Sequence, residues 1–456
     1  MARLKNLVLI GISGSGKTVM GKRLAHRLSR EFIDLDSLIQ EREGLSIPQI
    51  FEERGEEGFR RAETEAVKAV SGCRGAIIAC GGGAVLKEIN MELLSQNGTI
   101  LFMNRRIQDI LSRVNLENRP LLSKTPEKLH EQYRERLPLY EKYGDLQVRC
   151  DGTPNGILDH LTHISRLEQR DKRLAVIGDP IAHSLSPDIH LPAMRPFLKS
   201  LSYDRIRVLR GEFPQWFARI RERGLDGFNV TMPYKKAIIP LLDRIDKEAS
   251  ELGSVNTVVR KKGELWGYST DGKGFARALA SVGESFRGSA VTIIGSGGAA
   301  VTIAMRAAKE GARELHLVAR DLSKARDIAG KIKESYQTDS YLHSFLNMDG
   351  DGSEWNSRII INATPLGMEG IKEGFPRFDF LDLVKEDAIL CDLIYSPTKT
   401  KLLVEAGKRG LRTLGGINML IEQALEADRL YLGAEIMRVK AYNRVIDNLR
   451  GKVEEL

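Results

Sequence analysis

Two glycine-rich loops, each entered from an apolar run and left through a helical one, constrain this chain more than any other feature. The first, Gly11-Ile12-Ser13-Gly14-Ser15-Gly16-Lys17-Thr18, follows Leu7–Ile10 and precedes an amphipathic run from Thr18 to Ser29. The second, Gly295-Ser296-Gly297-Gly298-Ala299-Ala300, follows Ala290–Ile294 and precedes a run from Ala299 to Lys309. Uniformly apolar strands alternating with helices belong in parallel sheets covered on both faces. The loops lie too far apart to share one mononucleotide fold, so the chain carries at least two α/β units. Its 456 residues agree with about three units of ~150 residues. A seam is expected at 167–172, where the polar Glu168-Gln169-Arg170-Asp171-Lys172 separates a helical stretch, Asn155–Leu167, from a strand at Leu174–Ile177.

The first loop fits GxxxxGK[ST] in full. Its glycines let successive backbone N–H groups face phosphate oxygens, Lys17 reaches the β- and γ-phosphates, and the Thr18 hydroxyl ligates Mg²⁺. That establishes a nucleotide phosphate but not its acceptor. Asp34 and Asp36 end the segment Phe32–Asp36. On a strand, side chains at i and i+2 share a face. One carboxylate can then join the metal shell while the other orients or deprotonates a hydroxyl. The competing reading is a helix N-cap at Asp36. Further on stand Phe59-Arg60-Arg61-Ala62-Glu63, Gly81-Gly82-Gly83, Arg119-Pro120-Leu121-Leu122 and Arg136-Leu137-Pro138-Leu139-Tyr140.

In this order and spacing, residues 1–166 closely resemble shikimate kinase. The resemblance implies a P-loop domain with a parallel sheet that transfers a phosphoryl group from ATP, with Mg²⁺, to the 3-hydroxyl of shikimate. Gly14, Ser15, Gly16, Lys17, Thr18 and Arg119 would surround ATP, and Thr18 and Asp34 would hold the metal. Asp36 would bind the substrate hydroxyls and act as base. Arg60 and Arg136 would clamp the carboxylate, to which a guanidinium fork is suited, and Gly81, Gly82 and Gly83 would let the ring approach the backbone. Arg119 would ride on a lid and stabilise the transferring charge, which makes it, with Lys17 and Asp36, one of the catalytic residues.

After the seam, polar blocks alternate with apolar runs: Gly178 to Pro187, Gly227 to Lys235, Gly253 to Val258 and Gly267 to Gly272. Lys235 and Asp271 stand out, because a lysine paired with a carboxylate can give a proton to an oxygen as charge develops on it. The second glycine loop is a dinucleotide-binding variant with Ala in the last glycine position. The following strand, Leu315–Val318, ends in Ala319-Arg320-Asp321. The carboxylate that would take an NAD ribose is missing from the strand end, and Arg320 with Lys324 suits a 2′-phosphate, whereas Asp321 opposes one.

These blocks, with Asn362–Met368, Asp392–Pro397 and Gly416–Ala424, closely resemble shikimate dehydrogenase over residues 173–450. The resemblance implies NADPH-dependent reduction of 3-dehydroshikimate to shikimate, with Lys235 and Asp271 as the catalytic pair. Ser184, Ser186 and Tyr395 would take the carboxylate, and Thr231, Asn256 and Gln423 the ring oxygens. Gly295, Ser296, Gly297, Gly298, Ala299, Arg320, Lys324, Gly416 and Met419 would bind the cofactor. A substrate-binding α/β domain of residues 173–270 plus 416–456 would enclose a Rossmann domain of residues 271–415. The chain departs from the family pattern at Leu191, Ser269, Ala319 and Asn418.

Composition fits this reading. Hydrophobic residues are 42% and charged residues 29%, which excludes a disordered chain. Cys73, Cys80, Cys150 and Cys391 form no CxxC pair, so neither zinc nor a disulfide framework is expected. His160 and His163, one helical turn apart, read as a solvated helix face. No apolar stretch approaches the ~18 residues of a membrane helix, and no basic–aromatic interleaving points to nucleic acid. The net charge of +8 suits small anionic ligands: ATP, NADPH, shikimate and its ketone. A cytoplasmic monomer or homodimer is expected. A sugar-acid kinase and a nucleotide-sensing scaffold are rival readings. Arg60, Arg136 and the glycine triplet weigh against the first, and the retained Lys17, Asp36, Arg119, Lys235 and Asp271 weigh against the second.

Overall fold

A computed structural model describes residues 4–112, 126–345 and 352–453. It divides into two compact units. Residues 1–171, 194–200 and 432–444 form the first, and residues 172–193, 201–431 and 445–456 the second.

The first unit is built on a six-stranded sheet in the order Glu435–Ile436, Leu146–Arg149, Gly98–Asn104, Asn6–Ile10, Ile77–Ala79, Phe32–Asp34. Strand Asn6–Ile10 is buried throughout and pairs in parallel with both neighbours, which is why it reads as an uninterrupted apolar run. Helix Lys17–Leu28 leaves the loop at its end. The edge strand Glu435–Ile436 pairs antiparallel with Leu146–Arg149. Lys440 pairs with Asp145 at 3.0 Å. Residues 432–444 thus group with the first unit, whereas the sequence placed 416–456 wholly with the dehydrogenase-like half. The histidine pair also differs from expectation. His163 Nε2 donates to the Leu432 carbonyl at 2.8 Å, and burial pushes the His160 imidazole below its ordinary value. Helix Pro154–Ser165 forms as read, but the seam is no free linker. It is a 3₁₀ turn, Leu167–Gln169, running into a strand that starts at Asp171. In that strand the Asp171 side chain stays exposed, whereas the Lys172 side chain is largely buried.

The second unit holds two six-stranded sheets. One is mixed, in the order Ser200–Arg207, Asp171–Gly178, Gly227–Val230, Thr257–Lys261, Glu264–Tyr268, Arg244–Ile245. The other is wholly parallel, in the order Asp339–Ser344, Glu314–Ala319, Ala290–Ile294, Ile359–Asn362, Ile389–Asp392, Arg412–Leu414. This is the doubly wound order, with its switch point between Ala290–Ile294 and Ile359–Asn362. Alternate residues serve the two faces. Val291, Ile293, Ile359 and Ile361 enter one core, and Ile294, Ile360 and Leu390 the other.

Candidate active sites

In the first unit the glycine loop closes on its own lysine. Gly14 and Gly16 have φ of 84° and 99°, a region that favours glycine. Lys17 Nζ donates to the carbonyls of Gly11 and Ile12 at 2.7 and 3.0 Å, so it is poised at the rim of the cradle. The Ser15 hydroxyl is buried with no hydrogen-bond partner among the described residues, which fits an incoming phosphate oxygen. Thr18 Oγ1 donates to Asp34 Oδ2 at 2.8 Å, and this hydroxyl–carboxylate pair offers the hard oxygens that Mg²⁺ takes.

The two aspartates do not share a strand face as the sequence suggested. Strand Phe32–Asp34 stops at the first of them, and Asp34 caps helix Leu35–Glu43 by accepting from the N–H groups of Asp36 and Ser37. The cap is therefore Asp34 rather than Asp36. Its other oxygen still meets Thr18. Asp36, on the first turn, turns to the glycine triplet instead. A Cβ on Gly81 would lie 2.7 Å from Asp36 Oδ1, one on Gly82 3.0 Å from Ser13 Oγ, and one on Gly83 2.4 Å from Arg60 Nη2. Each glycine thus clears room for a different polar side chain. Arg60 Nη1 pairs with Glu63 at 2.8 Å. Burial raises the Glu63 carboxyl above its usual range, against the lowering effect of Arg60. Tyr140 donates to the Gly82 carbonyl at 2.6 Å, and burial raises its phenol against the lowering effect of the Arg136 charge. The structure thus brings Asp36, Arg60, Arg136 and Gly81–83 together. Arg119 lies outside the described residues. Glu63 was passed over as a site residue, although its position three after Arg60 on one helix makes the pair geometrically natural.

In the second unit Lys235 Nζ lies 2.6 Å from Asp271 Oδ2. Asn256 Nδ2 donates to the other oxygen, Oδ1, at 2.8 Å and sits 3.2 Å from Gln423 Oε1. Thr270, just before Asp271, donates its backbone N–H to Asn256 Oδ1 at 2.9 Å. Asp271 opens helix Asp271–Ser281, where the helix dipole favours a carboxylate. Ser184 Oγ and Ser186 Oγ are 3.1 Å apart. Burial raises the Tyr395 phenol, against the lowering effect of the Lys235 charge. The Thr231 methyl would meet a Cβ on Gly178 at 2.4 Å, so that turn also requires glycine. An ammonium held by an oriented carboxylate, beside amides and hydroxyls that can grip a polyol, is equipped to protonate a ketone oxygen.

The comparisons with known proteins find relatives for both halves of the chain. Residues 13–166 match the shikimate kinase family, and residues 176–258 match the shikimate dehydrogenase substrate binding domain. The shikimate dehydrogenase (NADP(+)) of Alkaliphilus metalliredigens is 36% identical over 281 residues, covering 60% of this chain and 95% of that protein. That of Bacillus licheniformis is 37% identical over 278 residues, covering 61% and 97%. The chain belongs to the shikimate dehydrogenase family. A shikimate 5-dehydrogenase from Listeria monocytogenes, solved with shikimate and NAD, is similar with a TM-score of 0.56 and 32% identity, covering 60% of this chain and 96% of that one. Ahead of the dehydrogenase stands a shikimate kinase domain, so the two enzymes occur in one chain.

The dehydrogenase's cofactor loop is open where phosphates would sit. Gly295 has φ of 120°, and a Cβ there would lie 3.0 Å from the Ala363 carbonyl. Nothing lies within 4 Å of a Cβ on Gly297 or Gly298, at the start of helix Gly298–Lys309, and Ser296 and Ala299 flank that space. Asp321, whose charge the sequence set against a 2′-phosphate, pairs with Lys324 Nζ at 3.5 Å. It caps helix Leu322–Tyr336, accepting from the N–H groups of Ser323 and Lys324, and these bonds hold its carboxyl below the usual range. Arg320 and Lys324 both remain exposed beside it. Gly416 packs closely, since a Cβ there would lie 2.4 Å from the Leu393 carbonyl, and Met419 packs on the Rossmann-sheet core. These residues can hold an NADP-type dinucleotide.

Proposed function

We propose that the dehydrogenase half reduces 3-dehydroshikimate with NADPH through Lys235 and Asp271, and that the kinase half phosphorylates the resulting 3-hydroxyl through Asp36. In the dehydrogenase, NADPH supplies the hydride. Lys235 gives its proton to the carbonyl oxygen as negative charge develops there, and Asp271 orients the ammonium. Asn256 fixes Asp271, and with Thr231 and Gln423 it holds the ring oxygens. Ser184, Ser186 and Tyr395 take the carboxylate. In the kinase, ATP with Mg²⁺ supplies the phosphoryl group. Lys17 moves from its loop carbonyls to the phosphates, Thr18 and Asp34 hold the metal, and Arg60 and Arg136 clamp the carboxylate. Asp36 orients the hydroxyl and accepts its proton.

The observation that carries the dehydrogenase reading is the 2.6 Å Lys235–Asp271 contact braced by Asn256. For the kinase it is the glycine triplet, whose missing side chains leave room for Asp36 and Arg60. Arg320 and Lys324 favour NADPH over NADH. Four free thiols support a reducing, cytoplasmic setting for a monomer or homodimer. Lys235→Ala is expected to lower ketone reduction by about 10²- to 10⁴-fold, the usual contribution of a proton donor, with phosphorylation unchanged. Asp36→Asn should do the reverse. Loss of both activities from either substitution, in a folded protein, would refute the residue assignments.

A further inference from the structure

The nucleotide end of the kinase site holds a cation that the roles above leave unused. In a parallel sheet, ligands meet the carboxyl ends of the strands. Strand Asn6–Ile10 runs into the phosphate loop there, and its neighbour Gly98–Asn104 ends beside it. A Cβ on Gly11 would lie 2.7 Å from the Met103 carbonyl, so the two strand ends are in close contact. Arg105 is the first residue past Asn104. The next strand, Leu146–Arg149, is knitted to the same point. Asn104 is the register partner of Arg149, and the Cys150 N–H donates to the Asn104 carbonyl at 2.8 Å. The Cys150 carbonyl in turn accepts from Arg105 Nε at 3.0 Å. That bond orients the guanidinium, whose Nη2 would stand 3.8 Å from a Cβ on Gly16 in the phosphate loop.

Arg105 is half-buried, and among the described residues no carboxylate pairs with it. The adjacent Arg106, by contrast, reaches Asp151 at 3.2 Å. A guanidinium set against a loop that already carries Lys17 finds its counter-charge when an anion enters. The loop's N–H groups cradle the α- and β-phosphates of a nucleotide, and a guanidinium offers phosphate oxygens paired donors. We propose that Arg105 is a further nucleotide-binding residue of the kinase, donating through its Nη groups to a phosphate oxygen beside Gly16. The motif supplies Lys17 and backbone N–H groups, and Arg105 adds a second fixed charge from the neighbouring strand. ATP and ADP share the phosphates next to this loop, so the contact serves binding rather than the transfer step. The proposal rests on the kinase reading of residues 1–166.

Arg105→Met in the full chain keeps an unbranched side chain and removes its donors. The KM for ATP is expected to rise about 10- to 100-fold, the scale of one charge-assisted hydrogen bond. The KM for shikimate and kcat should stay within about twofold of wild type. Calorimetry with the dehydrogenase half saturated by NADP⁺ should show the affinity for ADP falling by a similar factor and that for adenosine unchanged. Arg105→Lys keeps the charge without the fork. It should lie between wild type and Arg105→Met, and it serves as the test if Arg105→Met does not fold. A KM for ATP within about twofold of wild type, equal losses for adenosine and ADP, or a parallel rise in the KM for shikimate would each overturn the proposal. A wild-type chain that binds ADP but fails to phosphorylate shikimate would instead refute the kinase reading, and the ADP titration would then test Arg105 by itself.

Discussion

Gly83→Ala isolates one contact in the kinase site. Gly83 has φ of −100° and ψ of 0°, which alanine adopts without strain. The substitution therefore acts only through the new methyl group. That group would stand 2.4 to 2.7 Å from Arg60 Nη2, Nη1 and Cζ. The guanidinium is the far end of a flexible side chain, so it moves rather than the backbone. Displaced, it leaves both its pairing with Glu63 and its place toward the substrate carboxylate. A hydrogen bond between charged groups contributes about 1.5–3 kcal/mol. The KM for shikimate should thus rise roughly 10- to 100-fold, with the KM for ATP little changed. ATP-dependent phosphorylation measures this, and ketone reduction by the same sample serves as the control for folding. A wild-type KM for shikimate would show that Arg60 does not hold the substrate. Loss of both activities would show that the methyl group disrupts more than this contact.

Two further outcomes follow from charges the structure places. Arg320→Ala should raise the KM for NADPH roughly fivefold, about 1 kcal/mol for an exposed charge, and leave that for NADH unchanged; equal effects on both would remove Arg320 from the 2′-phosphate. Burial raises the Glu63 carboxyl, so the folded kinase domain keeps this proton to higher pH than the unfolded chain does. Stability from this group is present below its unfolded value and falls as pH rises from about 4 through the folded value. In Glu63→Gln that fall should disappear, which urea unfolding across this range would show; parallel profiles for the two proteins would contradict it.

Legibility from sequence followed locality. Both glycine loops and their flanking strands and helices could be read because each spans a few residues whose backbone geometry is demanding. Asp34 illustrates the limit. Its role as a cap depended on where a three-residue strand ended, and apolar patterning does not mark that end. Residues 432–444 group with the first unit through a two-residue edge strand, which carries no periodic signal in the sequence. Tyr203, Tyr431 and Asn229 meet only through the fold: Tyr203 and Tyr431 stand 26 and 202 residues from Asn229. Asn229 itself sat inside a recognised block, yet nothing in that block distinguished a buried hub from a ligand contact.

The central claim is that one chain makes the 3-hydroxyl of shikimate and then phosphorylates it. A coupled assay of the full chain with 3-dehydroshikimate, NADPH and Mg·ATP tests it most directly, following NADPH loss and shikimate 3-phosphate together. Both signals should appear, the phosphorylated product should depend on NADPH as well as ATP, and replacing NADPH with NADH should slow both. NADPH consumption without phosphorylated product, in a sample that also fails to phosphorylate added shikimate, would contradict the account.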